Sequence, residues 1–187
     1  MENERQPDSA LYPLLRNGVL DIPSLMLRYQ RDVYTTCYYM LGNEEDAKDA
    51  AQGIWERVWR KSGTYKESEG AIRTWLHTIS INYCRDVLRK QRRRRSIVSM
   101  LGLQSGEYDN IVALMPSDLD LRIDLFAALQ QLDVEDRSIL LLRYYYNYAA
   151  VEVAHMLNIP RTTIYKRIAQ AAEIARSHLR QENNDEQ

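Results

Sequence analysis

Two short stretches of the chain carry side chains suited to gripping a polyanion. Between residues 85 and 95 stand Arg85, Arg89, Lys90, Arg92, Arg93, Arg94 and Arg95 against Asp86 alone, a net of +6. Cations at that density neutralise several phosphates and make binding steeply salt-dependent. Helix C-termini also favour cations, and basic linkers occur, but capping needs fewer charges than this. Between 161 and 167 stand Arg161, Thr162, Thr163, Tyr165, Lys166 and Arg167. These residue types contact base edges and phosphates, and a helix N-terminus adds backbone donors for phosphate. The competing reading of that segment is a helical hairpin with a solvated basic face.

A third group, Glu44, Glu45, Asp46 and Asp49, has the types for metal or acid–base work. Acids in a first helical turn follow from the macrodipole alone, and no histidine accompanies them. His77, His155 and His178 are scattered without metal-ligand spacing. The chain has no glycine-rich phosphate loop, His-Glu-x-x-His or nucleophile motif. Tyr65, Trp75 and Tyr83 have faces on which unpaired bases stack. Trp75 and Tyr83 also lie on an apolar stripe and read as core, which leaves Tyr65 and Lys66, in a loop, for a single-strand role.

The elements that position these residues read as helices. The chain has 187 residues, 45% hydrophobic and 27% charged, with only 7 Gly and 5 Pro. That length buries a core without disulfides, and the scarcity of turn-formers points to helices and few loops. Composition excludes collagen-like, mucin-like, disulfide-scaffold and wholly disordered classes. The net charge is −1, but its distribution is uneven. Residues 1–60 hold ten acids and seven bases, the reverse of the block at 85–95. Such asymmetry fits a nucleic-acid footprint on a surface that has another task elsewhere. Cys37 and Cys84 form no Cys-x-x-Cys pair and read as buried thiols. The charged start has no apolar region after it, and no run approaches a membrane span, so a reducing cytoplasm is expected.

Along the chain, a helix is expected over 22–41, closed by Gly42 in the left-handed conformation. Its apolar members are Leu25, Leu27, Val33, Tyr34, Cys37, Tyr38 and Leu41. Asn43 caps the next helix, where Ala47, Ala51, Ile54 and Val58 form a stripe widened by Trp55 and Trp59. Residues 61–70 read as a loop. A third helix runs from 71 into the arginines, with Ile72, Trp75, Leu76, Ile79, Tyr83, Val87 and Leu88 as its stripe. Residues 96–118 read as a linker. Leu121, Leu125, Leu129 and Leu132 give one helix, and 133–136 cap another that carries 139–142 and Tyr144 to Tyr146. A short helix over 149–156 and a turn at 157–160 lead to the last helix, with Ile164, Ile168, Ala171, Ala175 and Leu179 on one face. Pro160 suits its first turn, and the polar tail from 181 is expected to fray. Residues 149–169 thus read as a helix–turn–helix, whose second helix presents 161–167.

In this order, the pieces resemble the extracytoplasmic-function (ECF) sigma factors of bacteria, over roughly 22–95 and 119–180. The run 41–52 (LGNEEDAKDAAQ), with Trp55, Arg57 and Trp59, resembles the family's helix that docks on the clamp helices of RNA polymerase. Residues 74–82, then Cys84, Arg85, Asp86, Leu88, Arg89 and Lys90, resemble the helix that opens and reads the −10 element. Residues 129–132, Arg137, 140–143, Glu152, Val153, Ala154, Leu157 and 163–167 resemble the −35-binding module. Gly53 stands where the family usually has Glu, Ile81 replaces a common basic residue, and Thr162 occupies a position often held by Gly.

The resemblance implies an all-α fold of two small helical domains joined by a flexible linker. Residues 1–21 are then a leader, 22–95 sigma region 2, 96–118 the linker, 119–180 sigma region 4 and 181–187 a tail. It implies core-polymerase binding by Asp46, Asp49, Gln52 and Trp55. It assigns −10 contacts to Tyr65, Lys66, Asn82, Arg85, Arg89, Lys90, Arg92 and Arg93, and −35 contacts to Arg161, Thr162, Thr163, Tyr165, Lys166 and Arg167. No cofactor, metal or catalytic residue is implied. The partners are bacterial core RNA polymerase, promoter DNA (duplex at −35, single-stranded at −10) and, as is common in the family, an anti-sigma factor. Two alternatives remain at this point. One is a helix–turn–helix regulator that acts without polymerase, which leaves 41–60 without a task. The other is a nucleic-acid enzyme built on the acidic cluster.

Overall fold

The computed structural model describes residues 15–16, 19–65, 71–100 and 126–185. Most of the leader, the loop 66–70 with Lys66, and residues 101–125 with Leu121 and Leu125 lie outside that set. The fold is all-α apart from a minimal hairpin. Strands β1 (Leu15–Arg16) and β2 (Val19–Leu20) pair antiparallel, Leu15 opposite Leu20.

Three helices make the first module. Helix α1 (Ile22–Leu41) starts after Asp21, whose carboxylate accepts a 2.7 Å bond from the Ser24 hydroxyl. It ends at Gly42 with φ +86°, a conformation only glycine adopts without strain. Helix α2 (Glu44–Lys61) is capped by Asn43, whose side chain accepts from the Asp46 N–H at 2.8 Å. Its inner face is Ala47, Ala50, Ile54 and Val58. Two expected stripe members point outward: Leu27 is 78% exposed and Trp59 71%. Each neighbours the buried line but sits off it, because every residue turns the helix by about 100°. A 3₁₀ turn, Ser62–Thr64, follows α2.

Helix α3 (Ile72–Met100) fully buries Ile72, Leu76, His77, Ile79, Ser80, Ile81 and Cys84. Val87 and Leu88 still pack half-buried against the core, and beyond them the same helix carries Arg92, Arg93 and Arg94 outward and runs on to Met100, five residues past Arg95. Ile81 is fully buried, so its apolar type is a packing requirement. Cys37 of α1 and Cys84 of α3 meet in this core as free thiols. Their mutual hydrogen bond, and then burial, push the Cys37 thiol far above its ordinary value, which makes it a poor nucleophile.

The second module begins with helical residues 126–130 and continues in α4 (Val134–Leu140), α5 (Ala150–Leu157) and α6 (Arg161–Asp185). Asp133 caps α4 by accepting from the Asp136 N–H at 2.8 Å. The single helix expected through Tyr146 instead widens into a π turn at Leu141–Tyr145. π turns re-aim the side chains that follow them, and here Tyr146 and Tyr148 point into the first module. Glu152 accepts from the Ala149 N–H at 2.7 Å and so closes the start of α5. Asn158, at φ +55°, makes the left-handed turn between α5 and α6. Pro160 stands just outside α6 and its carbonyl accepts from Thr163 and Ile164, so it acts as the cap and not as a first-turn residue. The helix continues through 181–185, where fraying was expected. Its inner face is Ile164, Ala171, Ala172 and Ala175.

The two modules pack directly on one another. Two of the carbonyls that end α1, which have no partner within their own helix, are taken by the second module, while Tyr38 O accepts from the Gly42 N–H. Arg137 donates to Met40 O at 2.6 Å and Gln130 donates to Tyr39 O at 3.0 Å. The Tyr146 hydroxyl lies 2.7 Å from the Thr36 hydroxyl and donates to Asp32 O at 3.0 Å. The Tyr148 hydroxyl lies 2.9 Å from His77 Nδ1.

Candidate nucleic-acid interface

Helix α3 supplies one cationic surface. Asn82 is exposed, one residue beyond the buried Ile81. Lys90, Arg92, Arg93 and Arg94 are exposed and form no ion pair among the described residues. Arg89 pairs with Asp86 at 3.0 Å. Arg85 is different: it is recessed and donates to Glu135 of α4 at 3.1 Å. Tyr65 lies half-buried, its ring tilted against Trp75 at 5.4 Å, near the end of the 3₁₀ turn.

The start of α6 supplies the second surface. The buried Ile164 anchors the helix against α5, and Arg161, Thr162, Thr163, Tyr165 and Lys166 face outward, as the spacing predicts. Arg167 departs from the expected role. Its side chain is only 21% exposed and is ringed by three carboxylates. Nε donates to Asp136 at 2.7 Å, Nη2 to Asp133 at 3.1 Å and Nη1 to Glu135. Burial disfavours its charge, but the hydrogen bond and charge of Asp136, then Glu135 and Asp133, hold the guanidinium pKa above its ordinary value. In this conformation Arg167 ties α6 to α4, and all three of its nitrogens already donate to carboxylates. Sequence spacing put it beside the outward residues. The acids that claim it lie thirty residues earlier, which spacing alone does not reveal.

The outward face of α2 is a separate surface. Asp49, Gln52 and Glu56 are exposed, Trp55 is partly buried and Trp59 stands in solvent. Asp46 is turned to the protein: its Oδ2 accepts from Asn43 at 2.8 Å and from Gln91 of α3 at 2.9 Å. It therefore fixes the end of α2 against α3. Gly53 has a steric reason. A Cβ there would collide with the Tyr83 hydroxyl and approach its Cζ to 2.6 Å. The Tyr83 ring lies over Gly53 and under the Arg57 guanidinium, 5.2 Å from its centroid.

Sequence reasoning missed the residues between the modules. His77 read as a scattered histidine and Tyr146 as a helical tyrosine, and Tyr148 drew no reading. His77 is fully buried, its Nε2 is 3.7 Å from the Asp32 carboxylate, and no hydrogen bond reaches that nitrogen. Arg137 is buried with four hydrogen bonds, and burial pushes its pKa down to about 10. A buried arginine and histidine in an apolar run were the available signal. Among the described residues no cluster of His, Cys, Asp or Glu could hold a metal, and no helix is long and apolar enough to cross a membrane.

The comparisons with known proteins agree with this arrangement. The family model for sigma-70 region 2 matches residues 25–94, and that for sigma-70 region 4 matches 122–174. The ECF RNA polymerase sigma factor SigW of Bacillus subtilis (strain 168) is 30% identical over 160 residues, covering 81% of this chain and 85% of that protein. SigX of the same organism is 25% identical over 157 residues, covering 81% and 79%. Among solved structures, the sigma factor RpoE in complex with the anti-sigma factor NepR from Bartonella quintana has a similar fold. The TM-score is 0.67 at 21% identity, over 86% of this chain and 97% of that one. CnrH in complex with the cytosolic domain of CnrY gives 0.58 at 18% identity, over 84% and 86%. With both regions matched in order and a relative similar along most of its length, the chain belongs to the ECF sigma factors of the sigma-70 family, non-enzymatic subunits that bind core RNA polymerase and direct promoter-specific transcription initiation.

Proposed function

We propose that the two modules divide the work of initiation as two DNA readers and one polymerase anchor. The module over 22–95 binds core polymerase through Asp49, Gln52 and Trp55, with Asp46 holding that helix to α3. Its α3 surface, with Asn82, Arg85, Arg89, Lys90, Arg92 and Arg93, meets the −10 strand, and Tyr65 and Lys66 help receive an unpaired base. The module over 119–180 places Arg161, Thr162, Thr163, Tyr165 and Lys166 in the major groove at −35. The segment 96–118 links the two. The observation that carries this reading is the segregation of surfaces. Outward cations cluster on α3 and on the first turns of α6, while the middle of α2 presents Asp49, Gln52, Trp55, Glu56 and Trp59 between its own terminal charges. A regulator acting without polymerase has no use for the α2 face.

The site of action is the bacterial cytoplasm, where polymerase and DNA are. An anti-sigma factor is a further partner. Support comes from the similar fold of a sigma factor whose solved structure contains one. The test is run-off transcription from a genomic fragment library with bacterial core polymerase. Discrete transcripts that need this protein support the reading, and their start sites define both promoter elements. Absence of transcripts together with failure to co-purify with core would return the reading to a free DNA-binding regulator.

A further inference from the structure

On α2, outward residues alternate with residues that hold α3. Gln52 and Glu56 are exposed, and Gly53 and Arg57, one residue beyond each, are half-buried. Gly53 and Arg57 stand four residues apart and so share a face of the helix. That face takes Tyr83 of α3 from two sides. The Tyr83 hydroxyl and Cζ fill the space in which a Cβ on Gly53 would stand, and the Arg57 guanidinium lies 5.2 Å from the centre of the ring. Arg57 reaches further along α3, to the Asp86 carboxylate at 3.6 Å. The same carboxylate accepts from Arg89 at 3.0 Å.

The neighbours of Tyr83 have different tasks. Cys84, after it, is buried in the core, and Asn82, before it, is exposed and set on the −10 surface by the proposed function. Asp86 lies one turn beyond Asn82 on the same face, and its partner Arg89 belongs to that surface too. One bridge from Gly53 through Tyr83 and Arg57 to Asp86 thus ties the two helices at the level of Asn82. The half-exposed Arg57–Asp86 pair contributes little on its own, so the fit of the ring into the notch sets the position. Glycine is unfavourable inside a helix, yet Gly53 stands in the middle of α2. The absence of its side chain is what lets α3 approach with a tyrosine in between.

We infer that Tyr83, seated in the notch at Gly53 and covered by Arg57, is a positioning residue for −10 reading. It sets the height and rotation of α3 on α2, and through them the place of Asn82 and Arg89 relative to the helix docked on polymerase. Recognition needs its groups held to within about 0.5 Å, and a Cβ at residue 53 must displace the ring by more than that. This inference rests on the sigma-factor reading and deepens it. Discrimination at −10 then depends on a side chain aimed at α2.

The test uses the full chain with bacterial core polymerase and a promoter from the fragment library, taken as the parent, mutated at −10, or mutated at −35. The readout is the ratio of run-off transcript from the parent to that from each mutated template. Loss of folded protein lowers all three templates alike and leaves both ratios unmoved. Gly53→Ala is expected to lower the −10 ratio at least fivefold and to change the −35 ratio less than twofold. Tyr83→Leu removes the ring and is expected to lower the −10 ratio at least threefold. Tyr83→Phe keeps the ring under Arg57 and should stay within twofold of wild type. The losses should not multiply, because the two sites touch: Gly53→Ala combined with Tyr83→Leu should fall no further than Tyr83→Leu alone. An unchanged −10 ratio in Gly53→Ala or Tyr83→Leu, equal losses at −10 and −35, or multiplied losses in the double variant would overturn the inference. Transcripts from wild type with unmoved ratios defeat the inference alone. A wild type that yields no transcripts and does not co-purify with core defeats the sigma-factor reading and the inference with it.

Discussion

Helix α3 has two neighbours and treats them differently. Toward α1 and α2 the centre of its contact is apolar and steric, with polar pairs such as Gln91–Asp46 and Arg73–Asp32 beside it: Ile72, Leu76, Ile79 and Cys84 are buried among apolar side chains, and Tyr83 lies where a Cβ on residue 53 would stand. Toward the second module its contact is polar: His77 meets Tyr148 and Arg85 meets Glu135. Apolar packing loses its driving force when opened to water, whereas hydroxyl, amide and guanidinium groups regain hydrogen bonds there. The first contact therefore fixes α2 and α3, the helices proposed to face polymerase and the −10 strand, as one body. The second is of a kind that can exchange protein partners for solvent or nucleic acid.

That difference can be broken by substitution. Leu76→Ala opens a cavity in the apolar contact and is expected to cost about 3 kcal/mol, seen as a lower urea midpoint for the first module. Arg137→Ala strips the end of α1 and Gln130 of a charged donor. It is expected to cost about 2 kcal/mol, mostly by uncoupling the modules, so that two unfolding transitions replace one. Were Arg137→Ala to leave a single transition with unchanged midpoint, the polar contact would not be what joins the modules.

Acid sharpens the same contrast. Burial, with Arg73 nearby, lowers the His77 pKa below 6.5 despite the attraction of Asp32. The groups facing this histidine are Asp32 and Arg73, with Tyr146 and Tyr148 from the second module. His77 stays neutral in the folded chain, while the unfolded chain takes up a proton as pH falls below 6.5. Its contribution is therefore complete above that value and is lost below it. Asp32 does not share the window. Burial raises its pKa, but His77 and Arg73 outweigh that and hold it below 3.8, so it stays ionised. Chemical denaturation between pH 7.5 and 5 should show the decline, and His77→Gln should flatten it.

The smallest effect concerns salt. On duplex DNA, Lys166→Ala is expected to reduce the log–log salt slope by about 0.9, one phosphate. Arg167→Ala should leave that slope nearly unchanged and lower stability instead, because its donors are committed to carboxylates. Equal slope losses from both would return Arg167 to the DNA surface.

Much of this was legible in the sequence. The period of the apolar residues located α1, α2 and the packed half of α3, and cap chemistry at Gly42, Asn43, Asp133 and Asn158 placed their ends. The outward residues of α3 and α6 were legible for the same reason: local periodicity fixes which way a helical side chain faces. Contacts between distant segments were not. The partners of Arg167 and Arg85 are chosen by tertiary packing, and the π turn that aims Tyr146 inward has no marker in local pattern. Tyr83 and Gly53 read as separate peculiarities until the two helices are laid together.

The account's central claim is that each module reads its own promoter element. Its most direct test is a matrix of run-off transcription, with a promoter found in the fragment library mutated at −10 or at −35. Each template is transcribed by core with wild type, Asn82→Ala or Lys166→Ala. The account predicts that Asn82→Ala loses discrimination at −10 alone and Lys166→Ala weakens initiation through −35 alone. Loss at both elements from either substitution, or at the opposite element, would contradict it.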